Sequence, residues 1–262
     1  MDNFWKKQQP SKPLFPDALW NKPERKTGKL AIIGGNRNGF AAVAAAYETA
    51  RRLNVDSAKV ILPDSLKKQI PTQIFDATFS ESNPSGSFAK NALNELNAAS
   101  DFADASILIG DSGANAETST LFENFLRVNS DRKLTVTRDA VDNLIRSAEE
   151  TLNYPNLHLV LSISQLQKLA RSVYYPRVIT LSQSLAQTAE TLHKFSLTFP
   201  VSLTLWHDGQ LFFAKNGAVF SQDFDQPVRV WSGEIAVRET IWSIWSSTSD
   251  PTQNIISSWT EL

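Results

Sequence analysis

The sequence predicts an α/β protein: a mostly parallel central sheet with helices on both faces. Three observations carry that reading. Short apolar runs alternate along the chain with longer helix-like stretches, as in repeated strand–helix units. Two of the runs end in glycine, which suits buried parallel strands feeding tight turns. A single hairpin signature comes late, and two helical stretches follow it. At 262 residues the chain is long enough for one large domain or two small ones, and one core can serve it.

Taken in order, residues 1–28 are rich in Pro, Lys and Asn, with scattered Trp5, Phe15 and Trp20. They read as an arm that packs without regular structure or frays, leaving 29–262 as the domain. Leu30 to Gly34 (LAIIG) is the first strand, and Asn38 to Leu53 an alanine-rich helix ending in Arg51-Arg52, matched to the helix dipole. Lys59 to Leu62 is a strand closed by Pro63, and Gln73 to Phe79 alternates as another. Helix Phe88 to Ala99 leads to strand Ser106 to Gly110, then helix Ala116 to Val128, strand Lys133 to Thr137 and helix Ala140 to Thr151. Strand Leu157 to Ile163, helix Gln165 to Ser172, a short strand Arg177 to Leu181 and helix Leu185 to Lys194 continue the alternation. Val201 to Lys215 folds back around Asp208-Gly209 as a β-hairpin. Helices Glu234 to Trp245 and Pro251 to Trp259 follow.

Composition narrows the function classes. A net charge of −1 and a pI near 6.3 argue against a dedicated nucleic-acid binder. No apolar run approaches a membrane span, and the first residues carry no apolar signal core, so no membrane partner and a cytoplasmic location are expected. With no cysteine there is no disulfide, thiolate metal site or cysteine nucleophile, and His158, His193 and His207 have no metal-ligand spacing; no metal site is expected. Glycine is scarce: ten residues, about 4% against a usual ~7%. Each one therefore merits locating.

Parallel α/β sheets bind ligands beyond the carboxyl ends of their strands, so the strand-end turns are the candidate sites. Ile32 to Phe40 (IIGGNRNGF) delivers Gly34 and Gly35 to a helix start, with Asn36 and Arg37 as the expected ligand-facing groups. It reads either as an anion-binding turn or as a tight strand-to-helix connection. Ile107 to Asn115 (ILIGDSGAN) repeats the pattern; Asp111 or Ser112 could touch a ligand, or Asn115 simply caps the next helix. Asp139 stands at a strand end, where helix capping is the plainer role. Ser232-Gly233-Glu234 opens a helix whose amides suit a phosphate and whose carboxylate could act as a base, or is matched to the dipole. Arg51-Arg52 and Lys67-Lys68 read as solvated helix ends, and Trp231, Trp242, Trp245 and Trp259 as core or a subunit contact.

In this order, from about residue 22 to about residue 246, the segments resemble the ADP/ATP-dependent NAD(P)H-hydrate dehydratases of the ribokinase-like superfamily. KTGKLAIIGGNRNGFAAVAAA is similar to that family's opening strand and small-residue helix. ASILIGDSGANAETSTLFENFL falls where the family has "IGPGLG", and KLTVTRDAVDNL where it has "PLVLDADALNLL". LVLSISQLQKLA stands at "VLTPHPGEFARL" and SGEIAV at "GTGDVLAG". The resemblance implies a ribokinase-like fold that uses ADP or ATP, with Mg2+ able to accompany it, to restore hydrated NADH or NADPH. It implies Glu234 as catalytic base and Ser232 and Gly233 at the nucleotide phosphates. Gly35, Asn36, Arg37 and Ala41, with Gly110, Gly113 and Asp139, would line the NAD(P)H-hydrate substrate.

The sequence also departs from the family. Thr137 and Arg138 replace the first two residues of its aspartate-alanine-aspartate motif, and the histidine of "TPHPGE" has no counterpart. Thr204, Leu205 and Trp206 run through the place of the "KGAGT" loop, and Glu234 replaces the family's aspartate. Three functions follow as expectations: a divergent dehydratase, a catalytically silent relative that binds a nucleotide or a partner, and a small-molecule kinase. Homo-oligomerisation is a further expectation from the resemblance and the aromatic tail.

Overall fold

The structure, a computed structural model, describes residues 4–20, 22–70, 77–245 and 251–262. In chain order its elements are β1 (Trp5–Gln8), α1 (Pro16–Trp20), β2 (Lys29–Gly34), α2 (Ala41–Arg52), β3 (Ser57–Pro63), β4 (Ala77–Ser80) and α3 (Leu93–Phe102). Next come β5 (Ala105–Gly110), α4 (Ala116–Val128), β6 (Leu134–Thr137), α5 (Asp139–Asn143), α6 (Ala148–Thr151), β7 (Leu157–Leu161) and α7 (Ile163–Ser172). The chain ends with α8 (Leu185–Thr198), β8 (Ser202–His207), β9 (Gln210–Lys215), β10 (Ala218–Asp223), α9 (Pro227–Trp231), α10 (Glu234–Ile244) and α11 (Thr252–Ser258).

Among the described residues the strands form one ten-stranded sheet, ordered β1-β10-β9-β8-β7-β6-β5-β2-β3-β4. Every neighbouring pair is parallel except the two that involve β9. Two-residue periodicity splits the buried side chains into two layers. Ile33, Leu108, Val136, Leu159 and Leu203 face α3, α4, α7 and α8. Ile32, Ile107, Ile109 and Phe213 face α2, α10 and α11. The predicted α/β fold with helices on both faces is therefore present.

Several sequence expectations change. The arm of residues 1–28 contains a strand: β1 lies parallel to β10, held by Trp5 Nε1 donating to Ser221 Oγ at 2.9 Å. Gln8 Nε2 donates to the Ile256 carbonyl at 2.8 Å. Gln73 to Phe79 falls partly outside the described residues; its described end belongs to β4. Residues 177–181 form no strand, because β6 and β8 already occupy both edges of β7. The helix expected over 140–151 breaks into α5, a 3-10 turn and α6, where Asn143 turns its side chain to Ser119 and the Gly113 carbonyl. Strand β10 is an addition. Its hairpin with β9 turns at Asn216-Gly217, both with positive φ, as Asp208-Gly209 does between β8 and β9.

One buried polar cluster ties the sheet to the end of the chain. Glu239 on α10 is fully buried; its Oε2 lies 3.2 Å from His158 Nε2 on β7, and its Oε1 accepts from Trp259 Nε1 at 2.7 Å. No described helix is long and apolar enough to cross a membrane. Removing the carboxylate leaves the buried Trp259 indole N–H without its acceptor, while His158 Nε2 keeps Thr204 Oγ1 at 3.0 Å, so Glu239→Ala is expected to cost about 2 kcal/mol or more in chemical denaturation. Glu239→Gln, which keeps one acceptor, costs less; a loss below about 1 kcal/mol for the alanine variant would refute this role.

Candidate functional site

The carboxyl ends of β2, β5, β6 and β7 meet the starts of α2, α5, α7 and α10, and the turns between them make the candidate site. Its geometry begins with glycines. The Gly35 amide donates to the Gly110 carbonyl at 2.9 Å, locking the β2 and β5 turns together. Gly110 has φ +93°, and a Cβ there would collide with Asp139 Oδ1. Only glycine fits both constraints.

Asp111 follows with φ +55° and does two things. Its Oδ2 accepts from the Ala42 amide at 2.8 Å, so it closes the N-terminus of α2 from outside that helix. Its Oδ1 pairs with Arg138 Nη2 at 2.5 Å, and both side chains are largely buried. Arg138 Nη1 in turn donates to the Trp231 carbonyl at 2.6 Å, just before α10. This ion pair therefore bridges the ends of β5 and β6 to the approach of α10. Arg138 itself has φ 57° and ψ −141°, a conformation that costs an L-residue about 1–3 kcal/mol. Gln165 Nε2 holds its carbonyl at 2.7 Å, adding the β7 end to the same network.

The predicted site residues divide around this bridge. Asn36 Nδ2 donates to the Asp111 carbonyl at 2.5 Å and its Oδ1 accepts from the Asn38 amide at 2.7 Å, so the side chain shapes its own turn. Arg37 is exposed, its amide bound to the Gly86 carbonyl at 2.9 Å, and Ala41 is exposed in the first turn of α2. Asp139 Oδ2 accepts from the Gly113 amide at 2.7 Å, while Oδ1 is buried against Gly110 without a hydrogen bond. Its carboxylate thus braces the β5 turn rather than capping α5. Asn115 caps α4, accepting from the Glu117 and Thr118 amides.

At α10, Gly233 has φ +89°, and a Cβ there would stand 3.3 Å from Arg138 Cδ and 2.7 Å from Ile109 Cδ1. The Arg138 stem therefore lies directly against the glycine that opens the helix. Ser232 Oγ lies 3.4 Å from the Glu234 amide. Glu234 Oε1 accepts from Arg229 Nη2 at 2.8 Å, and both side chains are mostly covered. The carboxylate is thus held by a guanidinium. Among the described residues no group of three His, Asp or Glu side chains is placed to hold a metal ion.

Beside the bridge lies a cleft of about 300 Å³ over the ends of β6 and β7, lined by Arg138, Ser162, Ser164, Gln165, Lys168 and Trp231 among others. Sequence reasoning did not single out Lys168 or the bridging role of Arg138. The Ser162–Gln165 capping box was detectable as an S-x-x-Q signature, and it positions Gln165. The positive φ of Arg138 has no sequence signature. Trp242, Trp245 and Trp259 lie in the core, whereas Trp231 is 54% exposed.

No family model and no curated protein matches the chain. Solved structures do. A hypothetical protein from Streptococcus mutans superposes with a TM-score of 0.69 at 13% identity, over 94% of this chain and 87% of its own. A ribokinase-like superfamily protein from Enterococcus faecalis gives 0.67 at 14% identity, over 98% and 85%. The ADP/ATP-dependent NAD(P)H-hydrate dehydratase from Bacillus subtilis, co-crystallised with ATP and Mg2+, gives 0.61 at 11% identity, over 88% and 77%.

The glycine constraints are testable. Gly110→Ala is expected to lose about 2–4 kcal/mol in urea unfolding, from left-handed backbone and collision with Asp139. Gly39→Ala, with open space around a new Cβ, should stay within about 0.5 kcal/mol of wild type. Equal losses at the two positions would refute the assignment. At these identities the likeness establishes architecture, and the chain has the ribokinase-like fold.

Proposed function

We propose that the protein is a ribokinase-like binding protein that holds a nucleotide-type ligand without the chemistry of the enzymes sharing its fold. The observation that carries this is the Asp111–Arg138 bridge, which lies against Gly233 and joins the turns before α2 and α10. Phosphate recognition at a helix start needs free amides and an open approach. Here one α2 amide is held by Asp111, and the Arg138 stem covers the glycine at the start of α10. Proton transfer needs a carboxylate free to meet a hydroxyl, and Glu234 is held by Arg229. In front of α10 the Gly233 amide is already bound to the Val230 carbonyl at 3.0 Å with the Arg138 stem beside it, an arrangement unfavourable to ADP or ATP with Mg2+ there.

A second reading is nucleotide-dependent dehydration of hydrated NADH or NADPH with Glu234 as base. It is favoured by the carboxylate at the first residue of α10, directly after a left-handed Gly233. One assay separates the two. Hydrated NADH is incubated with ADP or ATP and Mg2+ while the NADH absorbance is followed. The expected result is no recovery, with wild type and Glu234→Ala indistinguishable. Recovery that disappears in Glu234→Ala would establish the dehydratase reading and overturn the first. ADP release that depends on a hydroxylated acceptor would overturn it in favour of a kinase. The binding half requires thermal stabilisation by a nucleotide at millimolar concentration, and fails without it.

A further inference from the structure

We propose that Asn38-Gly39, in the turn between β2 and α2, is a self-modifying site that deamidates through a succinimide, while the fold protects Asn216-Gly217. These two are the Asn-Gly pairs of the chain. The outcome is a new carboxylate at the approach to α2, formed with time and without any enzyme.

The chemistry is internal to the pair. The Gly39 nitrogen attacks Asn38 Cγ, a new N–C bond forms, and the bond from Cγ to the side-chain nitrogen breaks. Ammonia leaves with the proton of the glycine amide. Water then opens the ring at either carbonyl, giving aspartate or isoaspartate with no change of oxidation state. The nitrogen must swing onto Cγ, and the absence of a Cβ on the following residue is what permits it. Asn38 is exposed, and a Cβ built on Gly39 would meet nothing within 4 Å, so the ring has room to close. The Gly39 amide donates to the Asn36 carbonyl at 3.0 Å, and the Asn36 amide returns a bond to the Gly39 carbonyl at 2.9 Å. That isolated bridge is all that pairs the turn, and opening so short an exposed segment is a local fluctuation.

The second pair is held differently. Gly217 is buried; its amide donates to Ser196 Oγ at 3.0 Å and its carbonyl is held by His193 Nδ1. A Cβ there would stand 2.6 Å from Leu197 Cδ2, so α8 walls the turn. Freeing this nitrogen requires the β9–β10 hairpin to part from α8, a far larger opening than the one at Gly39. The two products at Asn38 also differ in effect. Aspartate keeps the backbone and adds negative charge beside Arg37, near the positive end of α2. Isoaspartate routes the main chain through the side chain and lengthens it between Asn36 and Gly39. The paired turn bonds then lose their register, and with them the support of Asn36, whose Nδ2 holds the Asp111 carbonyl.

Peptide mapping by mass spectrometry of the full chain, aged in mildly alkaline buffer, tests the site. An isoaspartate-specific methyltransferase marks that product. In the folded chain Asn38 is expected to convert about tenfold faster than Asn216 or more, and in urea the two rates should converge. Gly39→Ala should slow conversion of Asn38 about tenfold, with far-UV circular dichroism verifying that the variant folds. The isoaspartyl fraction, separated by anion exchange, should melt below wild type, whereas Asn38→Asp melts with it. Equal rates at the two pairs in the folded chain, or earlier conversion of Asn216, would overturn the proposal. So would Asn38 persisting in the folded chain for as long as it takes to convert in urea. A rate ratio unchanged by urea would assign the preference to the flanking residues and overturn the role of the fold. An isoaspartyl fraction as stable as wild type would overturn the stated effect on the turn.

Discussion

The Asp111–Arg138 ion pair is the contact on which the ligand-facing edge of this molecule depends. It joins residues that follow β5 and β6, reaches the carbonyl before α10, and through the second carboxylate oxygen closes α2. Both partners hold left-handed φ, an unfavourable state for L-residues that persists only where surrounding contacts over-determine it. Here those contacts are visible. Gly110 leaves room for Asp139, Asp139 braces Gly113, and Gln165 holds the Arg138 carbonyl. Strain at a strand end is thus balanced by a network that no single turn could support alone.

This edge stands on a sheet whose order puts β5 and β6 near its middle, flanked by β2 and β7. Those strands are buried on both faces, so their ends are fixed and hold the turns beyond them in place. Elsewhere the molecule is secured by contacts distant in sequence. The β1 strand closes one edge against β10, and Glu239 joins β7 to Trp259 near the end of the chain. The fold is held in common with solved ribokinase-like structures from bacteria. A shared scaffold with different strand-end side chains is the usual way such folds diverge in function.

The scarcity of glycine takes on a definite meaning in this light. Gly35, Gly110, Gly113 and Gly233 all have positive φ at the strand-end and pre-helix turns. Gly34 is needed for another reason, since a Cβ there would fall 2.5 Å from the Gly110 carbonyl oxygen. Side chains crowd these glycines: Asp139 and Arg138 lie against Gly110, and Arg138 also lies against Gly233.

Much of the architecture was legible in the sequence because it rests on local patterning. Apolar runs such as LAIIG and SILIG gave β2 and β5, alternating faces gave two helical layers, and Asp208-Gly209 gave a hairpin. Asn115 as a cap could be read from its position before α4. The Asn216-Gly217 turn carried the same local signal for β10. The sequence by itself thus determined the fold class, most strands and helices, and the turns where a ligand could meet the sheet. Tertiary structure alone decided that β1 pairs with β10, that Asp139 faces Gly113, and that Arg138 crosses to Asp111 and Trp231. Periodicity reports which face of an element is buried, through the hydrophobic effect acting on neighbours in the chain. Which carboxylate meets which guanidinium depends on the register of separate strands and on backbone conformations stabilised only after those strands have assembled.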